Sequence, residues 1–317
     1  MNGDSLLIDM KRMNIEQADL NLLKVFEALH EEGSASRASV RLGLTQSAVS
    51  AALGRLRLLY GDALFQRTGR GLAPTLLADQ LKPVISEALD RVRQSLDLVA
   101  PEDGDFSGRS VTVGLSDDFE IALAPRLLAQ VARRAPQLRL IFRQTHSQIV
   151  NAALMERQVD LAITSGGITS QGLSRALLGE GGYACVVDPE GFGDAGALDL
   201  ERFVASPHLL ISSGGFIGIV DEALAALGRS RRVLASTTHF AALPYLLKGT
   251  PALATVPAHA AEAVARVSGL RVLACPLALR RYPIELGWRS RALEDRAVAL
   301  VREAIEDCFP LTPSQGA

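Results

Sequence analysis

The sequence predicts a chain in two parts: an N-terminal all-α winged helix-turn-helix that continues into a long linker helix, and a C-terminal α/β domain of two lobes. Three observations predict it. Apolar residues recur at helical spacing over residues 19–59, with capping residues at the starts and glycines at the stops. A Gly-rich hairpin follows, and then one amphipathic stretch of about seven turns. Beyond residue 109 short apolar strands alternate with amphipathic helices, the texture of α/β domains with largely parallel sheets.

Each element follows in order. Residues 1–18 lack a period and read as a flexible extension. From Asp19 as N-cap, Leu22, Leu23, Phe26 and Leu29 recur every three or four residues, and Gly33-Ser34 ends that helix. A short helix over 36–42 meets a tight turn at Gly43-Leu44. Thr45 caps a third helix to about residue 59, with Val49, Leu53 and Leu56 facing inward; helix, short helix, glycine turn and helix make the helix-turn-helix pattern over a domain of residues 19–75. Leu64 to Arg67 and Leu72 to Thr75, around Thr68-Gly69-Arg70-Gly71, read as the wing.

Residues 76–100 read as a linker and dimerisation helix capped by Thr75. Its residues Ile85, Leu89, Val92, Leu96 and Val99 step by four and three, the seam of a coiled coil. Pro83 is expected to kink that helix or delay its regular start. Residues 101–108, PEDGDFSG, form a polar hinge. Strands are then expected over 111–115, 138–143, 159–164, 183–187, 208–212, 232–236, 252–256, 270–274 and 284–288. Helices fit at 119–133, 148–157, 217–227, 240–247, 258–267 and 294–308. Lobe one takes about 109–178 and 269–317, lobe two about 179–268.

The 317 residues suit two or three domains, and 48% hydrophobic with 21% charged residues is ordinary globular make-up, which excludes a collagenous or disordered chain. Three scattered cysteines, Cys185, Cys275 and Cys308, have no metal-binding spacing, so neither a disulfide framework nor a zinc site is expected. Cys185 falls on a strand and reads as a buried core thiol rather than a redox sensor. Leu6-Leu7-Ile8 is too short for a signal peptide, and no apolar run approaches the ~18 residues of a membrane helix. A cytoplasmic protein with reduced thiols, no cofactor and no membrane partner is the expectation.

The net charge of −2 argues against an indiscriminate binder of polyanions. Its distribution says more. Residues 33–75 carry six arginines (Arg37, Arg41, Arg55, Arg57, Arg67, Arg70) against the single acid Asp62, a local charge of +5. Arginines on such a domain suit phosphates, and short polar side chains at the start of the third helix, here Thr45, Gln46, Ser47 and Ser50, suit base edges. Gln can bond adenine bidentately. Double-stranded DNA contacts are therefore expected at Arg37, Thr45, Gln46, Ser47, Ser50, Arg55, Arg57, Arg67 and Arg70. A solvated arginine face on a small helical bundle is the competing reading; helix order, turn and wing together outweigh it.

The run Ser36-Arg37-Ala38-Ser39-Val40-Arg41-Leu42-Gly43-Leu44-Thr45-Gln46-Ser47-Ala48-Val49-Ser50, then Leu53-x-Arg55-Leu56, Leu64-Phe65-x-Arg67, Gly71 and Pro74-Thr75, resembles the DNA-binding domain of LysR-type transcriptional regulators. Pro207-His208, Gly214, Val220-Asp221, Leu224-Ala225, Gly228-x-x-Arg231-Arg232, Thr238-His239-Phe240 and Pro244 are similar to the branch of nodulation and aromatic-degradation regulators, and Trp288 with Asp295 fits its C-terminal tail. Three positions depart from the family pattern: Ser47 stands where proline is usual, Ala51 where many members carry arginine, and Ser39 where alanine is usual. The operator sequence therefore cannot be copied from another member.

The resemblance implies a periplasmic-binding-protein-like effector domain, a homodimer and further a homotetramer, promoter DNA and a small-molecule effector as partners, and RNA polymerase as a possible further one. Ligands of open parallel sheets sit beyond the carboxyl ends of the strands. The polar residues expected there are Ser116, Asp117, Thr164, Ser165, Ser212, Thr238 and His239. Hydroxyls and helix N-termini suit a ligand with carboxylate or hydroxyl groups, an aromatic acid by inheritance from the branch, while Asp117 would repel an anion from its side. Each hydroxyl also has the ordinary role of a helix cap, and His239 weighs evenly between structural and ligand roles. Gly114-Leu115-Ser116-Asp117 is not a nucleophile elbow, and Ser212-Ser213-Gly214-Gly215 lacks phosphate-loop spacing. An α/β enzyme with an accessory helical domain is the alternative; it lacks a nucleophile, base or metal constellation. An extracytoplasmic solute-binding protein suits the two lobes but not the N-terminal domain.

Overall fold

A computed structural model describes residues 19–69, 71–97, 106–193, 196–212 and 215–309; the extension, Arg70, Val99 and the start of the hinge lie outside the described residues. The chain divides into two compact units, Met1–Ala100 and Pro101–Ala317.

In the first unit α1 (Asn21–Glu32), α2 (Ala35–Leu42) and α3 (Gln46–Tyr60) enclose Leu22, Phe26, Leu29, Ala38, Val49, Leu53 and Leu56. Helix α1 begins just after Asp19, whose carboxylate accepts the Asn21 N–H at 3.0 Å. Gly33 and Gly43 end the first two helices at φ 58° and 65°, left-handed values that favour a residue without Cβ. Strands β1 (Phe65–Thr68) and β2 (Gly71–Pro74) pair antiparallel as the wing. The wing docks on the end of α1, because Leu72 N–H donates to the Gly33 carbonyl at 2.8 Å.

Helix α4 (Leu76–Asp97) starts at its expected place, so Pro83 does not delay it. The expected seam divides in two. Ile85 and Leu89 are buried in the unit's own core against α1, whereas Val92 and Leu96 are 51% and 63% exposed. A polar ladder holds α4 on α1: buried Glu27 accepts from Ser86 Oγ at 3.1 Å and from Arg93, and Glu31 accepts from Lys82 Nζ at 2.9 Å and from Arg41. Truncating one partner of such a buried pair leaves an uncompensated charge, at a cost of about 3–5 kcal/mol.

The second unit runs β3 (Ser110–Leu115), α5 (Asp117–Arg134), β4 (Arg139–Gln144), α6 (Val150–Met155), β5 (Leu161–Thr164), β6 (Leu173–Gly181) and β7 (Tyr183–Val187). It continues with α7 (Pro189–Phe192), α8 (Leu200–Ala205), β8 (Pro207–Ile211), α9 (Ile219–Ala226), β9 (Arg232–Thr237), a 3₁₀ turn at Phe240–Ala242 and α10 (Leu243–Leu247). Then come β10 (Leu253–Pro257), α11 (Ala258–Ser268), β11 (Arg271–Ala274), β12 (Tyr282–Arg289) and α12 (Arg296–Glu306).

Two five-stranded sheets result, ordered β4-β3-β5-β12-β6 and β11-β7-β10-β8-β9. Each is mixed rather than largely parallel: β4, β3 and β5 run parallel, as do β10, β8 and β9, while β12, β6, β7 and β11 pair antiparallel. Three elements were not expected, β6, α7 and α8. The edge strand β6 alternates weakly and carries Arg175, Glu180 and two glycines, and the two helices are four and six residues long. Strand β11 pairs with β7 in the second sheet, so the chain returns to the first lobe after Ala274 and not at residue 269. Val113, Leu115, Phe119, Leu127, Leu286 and Val301 build the first lobe's core. In β7 the alternation sends Ala184 and Val186 to one core layer and Cys185 and Val187 to the other.

Candidate functional site

Helix α3 buries Val49, Ala52, Leu53 and Leu56, which turns Thr45, Gln46, Ser47 and Ser50 to solvent. Thr45 is the N-cap: its Oγ1 accepts the Ala48 N–H at 3.1 Å and lies 3.0 Å from Ser47 Oγ. The Gln46 and Ser50 side chains, one turn apart on the same face, make no intramolecular hydrogen bond among the described residues. On the wing, Gln66, Arg67 and Thr68 are exposed in β1. Gln66 was not among the expected contacts, since the facing of a four-residue strand follows from its pairing and not from its composition.

The arginines divide by what already holds them. Arg37 Nε donates to the Glu32 carbonyl at 3.0 Å, yet the side chain stays 64% exposed. Arg55 pairs with Asp19 at 3.1 Å and is 58% exposed, so a phosphate would have to displace a carboxylate. Arg57, expected at DNA, donates from Nε to the Ala63 carbonyl and from Nη2 to the Phe65 carbonyl, both at 2.9 Å; it is the brace of the wing's base. Arg41 is tied to Glu31 and Glu32. Arg70 lies outside the described residues. The lone acid, Asp62, accepts the Leu64 N–H at 2.6 Å and the Thr75 hydroxyl at 2.8 Å, which steadies the positive φ of 57° at Leu64 where the chain leaves α3 for the wing.

In the second unit the carboxyl ends of the parallel strands carry most of the expected cleft residues. Ser116 follows β3 and donates its hydroxyl to Asp118. Asp118 is buried and accepts from His259 Nε2 at 2.9 Å, and the His259 ring stacks on Phe119 with centroids 4.5 Å apart and planes 9° from parallel. Burial pushes the Asp118 carboxyl up, but the hydrogen bonds from His259, Ser116 and the Phe119 N–H outweigh it and hold the group below the usual carboxylate range. His259 opens α11 at the end of β10, so this pair joins the two lobes. Asp117 makes a second join: it accepts the Phe240 N–H at the start of the 3₁₀ turn, so its charge is directed to that turn rather than toward an incoming anion.

Those joins bring Ser116 and Asp117 beside Thr238 and His239, both exposed. Ser212 N–H donates to the Thr237 carbonyl at 2.9 Å, which adds Ser212 to the same edge. Thr164 ends β5, the parallel neighbour of β3; it is buried, and its hydroxyl donates to the Gly166 carbonyl at 2.9 Å and shapes its own turn, with Ser165 exposed beside it. Thr145, just past β4, has a buried hydroxyl without a partner among the described residues. Neither Thr145 nor the Asp118–His259 pair was expected; partners 141 positions apart leave no spacing signal.

The second-lobe residues of the quoted pattern are structural. Asp221 takes two hydrogen bonds from Arg231 at 2.9 and 2.7 Å, and Arg231 also donates to His208 Nδ1 at 3.3 Å. His208 Nε2–H donates to the Phe203 carbonyl at 2.8 Å, so the ring is neutral; burial first, then the Arg231 charge, bring it down to about 4. A cavity of about 320 Å³ lies at the strand crossovers, lined by Gly182, Tyr183, His259, Cys275, Leu277 and Arg281 among others, and none of the expected cleft residues lines it. Among the described residues no cluster of three or more His, Cys, Asp or Glu could hold a metal ion, and no helix is long and apolar enough to cross a membrane.

Residues 20–78 match the family described as "Bacterial regulatory helix-turn-helix protein, lysR family", and residues 105–309 match the "LysR substrate binding domain". The transcriptional activator NahR of Pseudomonas putida is 33% identical over 94% of this chain and 99% of its own length. Nodulation protein D 2 of Sinorhizobium fredii is 30% identical over 92% of this chain and 94% of its own. Among solved structures, the probable transcriptional regulator PA0477 from Pseudomonas aeruginosa superposes with a TM-score of 0.69 at 28% identity, over 91% of this chain and 97% of that one.

Proposed function

The chain belongs to the LysR family of transcriptional regulators, and from that premise we propose how this member reads DNA and what switches it. Gln46, Ser47 and Ser50 read base edges in the major groove from the start of α3, with Thr45 holding the helix cap. Arg37, Arg55 and Arg67 take phosphates, and Arg57 keeps the wing in place. Two subunits pair through the outer part of α4, where Val84, Val92 and Leu96 are exposed, to form a homodimer that assembles further into a homotetramer. Two winged helices then meet two half-sites about one DNA turn apart.

The effector is a small aromatic or aliphatic carboxylate, held between the lobes by Ser116, Ser212, Thr238 and His239 with Thr145 behind them. It acts by favouring one arrangement of the lobes, and only as far as its affinity for the two arrangements differs. No reaction is catalysed; the protein works in the cytoplasm and contacts RNA polymerase at the promoter. The observation that carries the reading is that the Gln46 and Ser50 side chains face solvent on one edge of α3 and make no hydrogen bond among the described residues.

The test is a gel shift on the DNA upstream of the protein's own gene, at several salt concentrations. Gln46→Ala should weaken specific binding by about 1–3 kcal/mol and leave nonspecific binding alone, whereas Arg67→Ala should weaken both and lower the salt slope by about 1. Binding indifferent to salt, or equal losses on every sequence for Gln46→Ala, would defeat the assignment. Ser116→Ala and Thr238→Ala should keep DNA binding and blunt the stabilisation by added carboxylates in a thermal-shift screen.

A further inference from the structure

Strands β7 and β11 pair antiparallel with Cys185 opposite Leu273. Residues two apart on a strand share a face, so Cys275, just past the end of β11, stands diagonally across from Cys185. On that diagonal the two thiols face one another across the pair of strands. Cys185 is fully buried, with its sulfur 3.6 Å from Thr255 Oγ1, while Cys275 is partly exposed and lines the 320 Å³ cavity at the crossovers. The Arg231 guanidinium, 1% exposed, places a buried positive charge close enough to act on both sulfurs. The neighbouring Cys185 thiol, then the Leu277 N–H and the Arg231 charge, outweigh burial and bring Cys275 down to about 7. Cys185, beside the Cys275 sulfur and buried, is pushed up.

We propose that Cys185 and Cys275 form a reactive dithiol: Cys275 attacks from the cavity, Cys185 resolves, and the two close to an intramolecular disulfide when a peroxide enters. The Cys275 thiolate attacks one peroxide oxygen; the S–O bond forms, the O–O bond breaks, and hydroxide leaves and is protonated to water. Cys275 is then a sulfenic acid. The Cys185 sulfur attacks it, the S–O bond breaks, and the hydroxyl departs with the Cys185 proton as a second water. Two thiols and one peroxide become one disulfide and two waters: the sulfurs lose two electrons and the peroxide gains them. Closing that diagonal to an S–S bond of about 2.05 Å moves chiefly residue 275, which lies beyond the strand ladder. The bond would fasten the start of the 275–281 crossover to β7 and so restrict how one lobe moves on the other.

Cys308 is an internal control, since it is buried in the first lobe's core and burial pushes its thiol up. The reduced full-length protein is treated with hydrogen peroxide, alkylated under denaturing conditions and mapped by mass spectrometry without reduction. Two of the three thiols should disappear together in one peptide pair joining residues 185 and 275. In the untreated native protein Cys275 should alkylate at least about tenfold faster than Cys308 at pH 7, as their thiolate fractions require. Cys185→Ser should leave Cys275 as a sulfenic acid that dimedone captures. Survival of all three thiols in the wild type, a disulfide that includes Cys308, or a disulfide between two chains would overturn the proposal. The wild-type map decides it even if a variant fails to fold.

Discussion

Replacing His259 with Phe removes one hydrogen-bond donor and little else. The ring stack on Phe119, at 4.5 Å and 9°, survives because the two aromatic rings are similar in size and shape. Asp118 keeps the Ser116 hydroxyl and the Phe119 N–H but loses the 2.9 Å bond from Nε2, while remaining 6% exposed. A hydrogen bond to a charged group contributes about 1.5–3 kcal/mol, and here water has little room to replace it. For a unit of about 200 residues that corresponds to a fall in Tm of about 3–12 °C. The chain's single tryptophan, Trp288, sits in β12 within the second unit's core, so urea unfolding followed by its fluorescence reports that unit without interference from the first. The double variant Asp118→Asn/His259→Phe should recover much of the loss, because no charge is then left buried with too few donors. A His259→Phe loss under about 0.5 kcal/mol, or strict additivity with Asp118→Asn, would refute the view that this pair holds the lobes together.

Three further outcomes are expected. His208 sits at about 4 when folded and near 6.5 when unfolded, so the unfolded chain binds more protons between those values and stability falls as the pH drops from 6.5 toward 4. The loss should reach about 2–3 kcal/mol in urea titrations read by Trp288, and His208→Gln should flatten it; an unchanged slope would clear His208 of the effect. Gly71→Ala places a Cβ 2.5 Å from the Gly33 carbonyl oxygen at φ +136°, so the wing must shift, costing about 1–3 kcal/mol in the first unit and weakening DNA binding; wild-type melting by circular dichroism would contradict the docking described. Thr145→Val removes a buried hydroxyl that has no partner among the described residues and should leave stability unchanged or raise it by up to about 1 kcal/mol; a loss above that would reveal an unrecognised hydrogen bond.

The first unit was legible almost residue by residue because its signals are local. Caps, glycine stops and a helical period identify α1, α2 and α3 within a residue or two. What the sequence could not disclose is which neighbour a side chain chooses. Ile85 and Leu89 satisfy a coiled-coil period equally well whether they face a second subunit or their own α1, and Arg57 looks as available as Arg67 until the turn behind it is built. In the second unit the strand positions other than β6 were readable but strand order was not, since β12 enters its sheet between β5 and β6 from more than a hundred residues away. The strand-end rule pointed to Ser116, Asp117 and Thr238 as expected cleft residues, but not to the Asp118–His259 clasp beside them, because nothing local announces such a pair.

The late arrival of β12 also governs how the molecule can come into being on the ribosome. The DNA-reading unit is complete within the first hundred residues and can fold as soon as it clears the exit tunnel. The first lobe has to wait, with β5 and β6 unable to join through their central strand until residues 282–289 are made. During that interval a nascent chain carries a finished reader and an unfinished sensor. Any transcript cut short between the two would release a DNA-binding fragment answerable to no ligand.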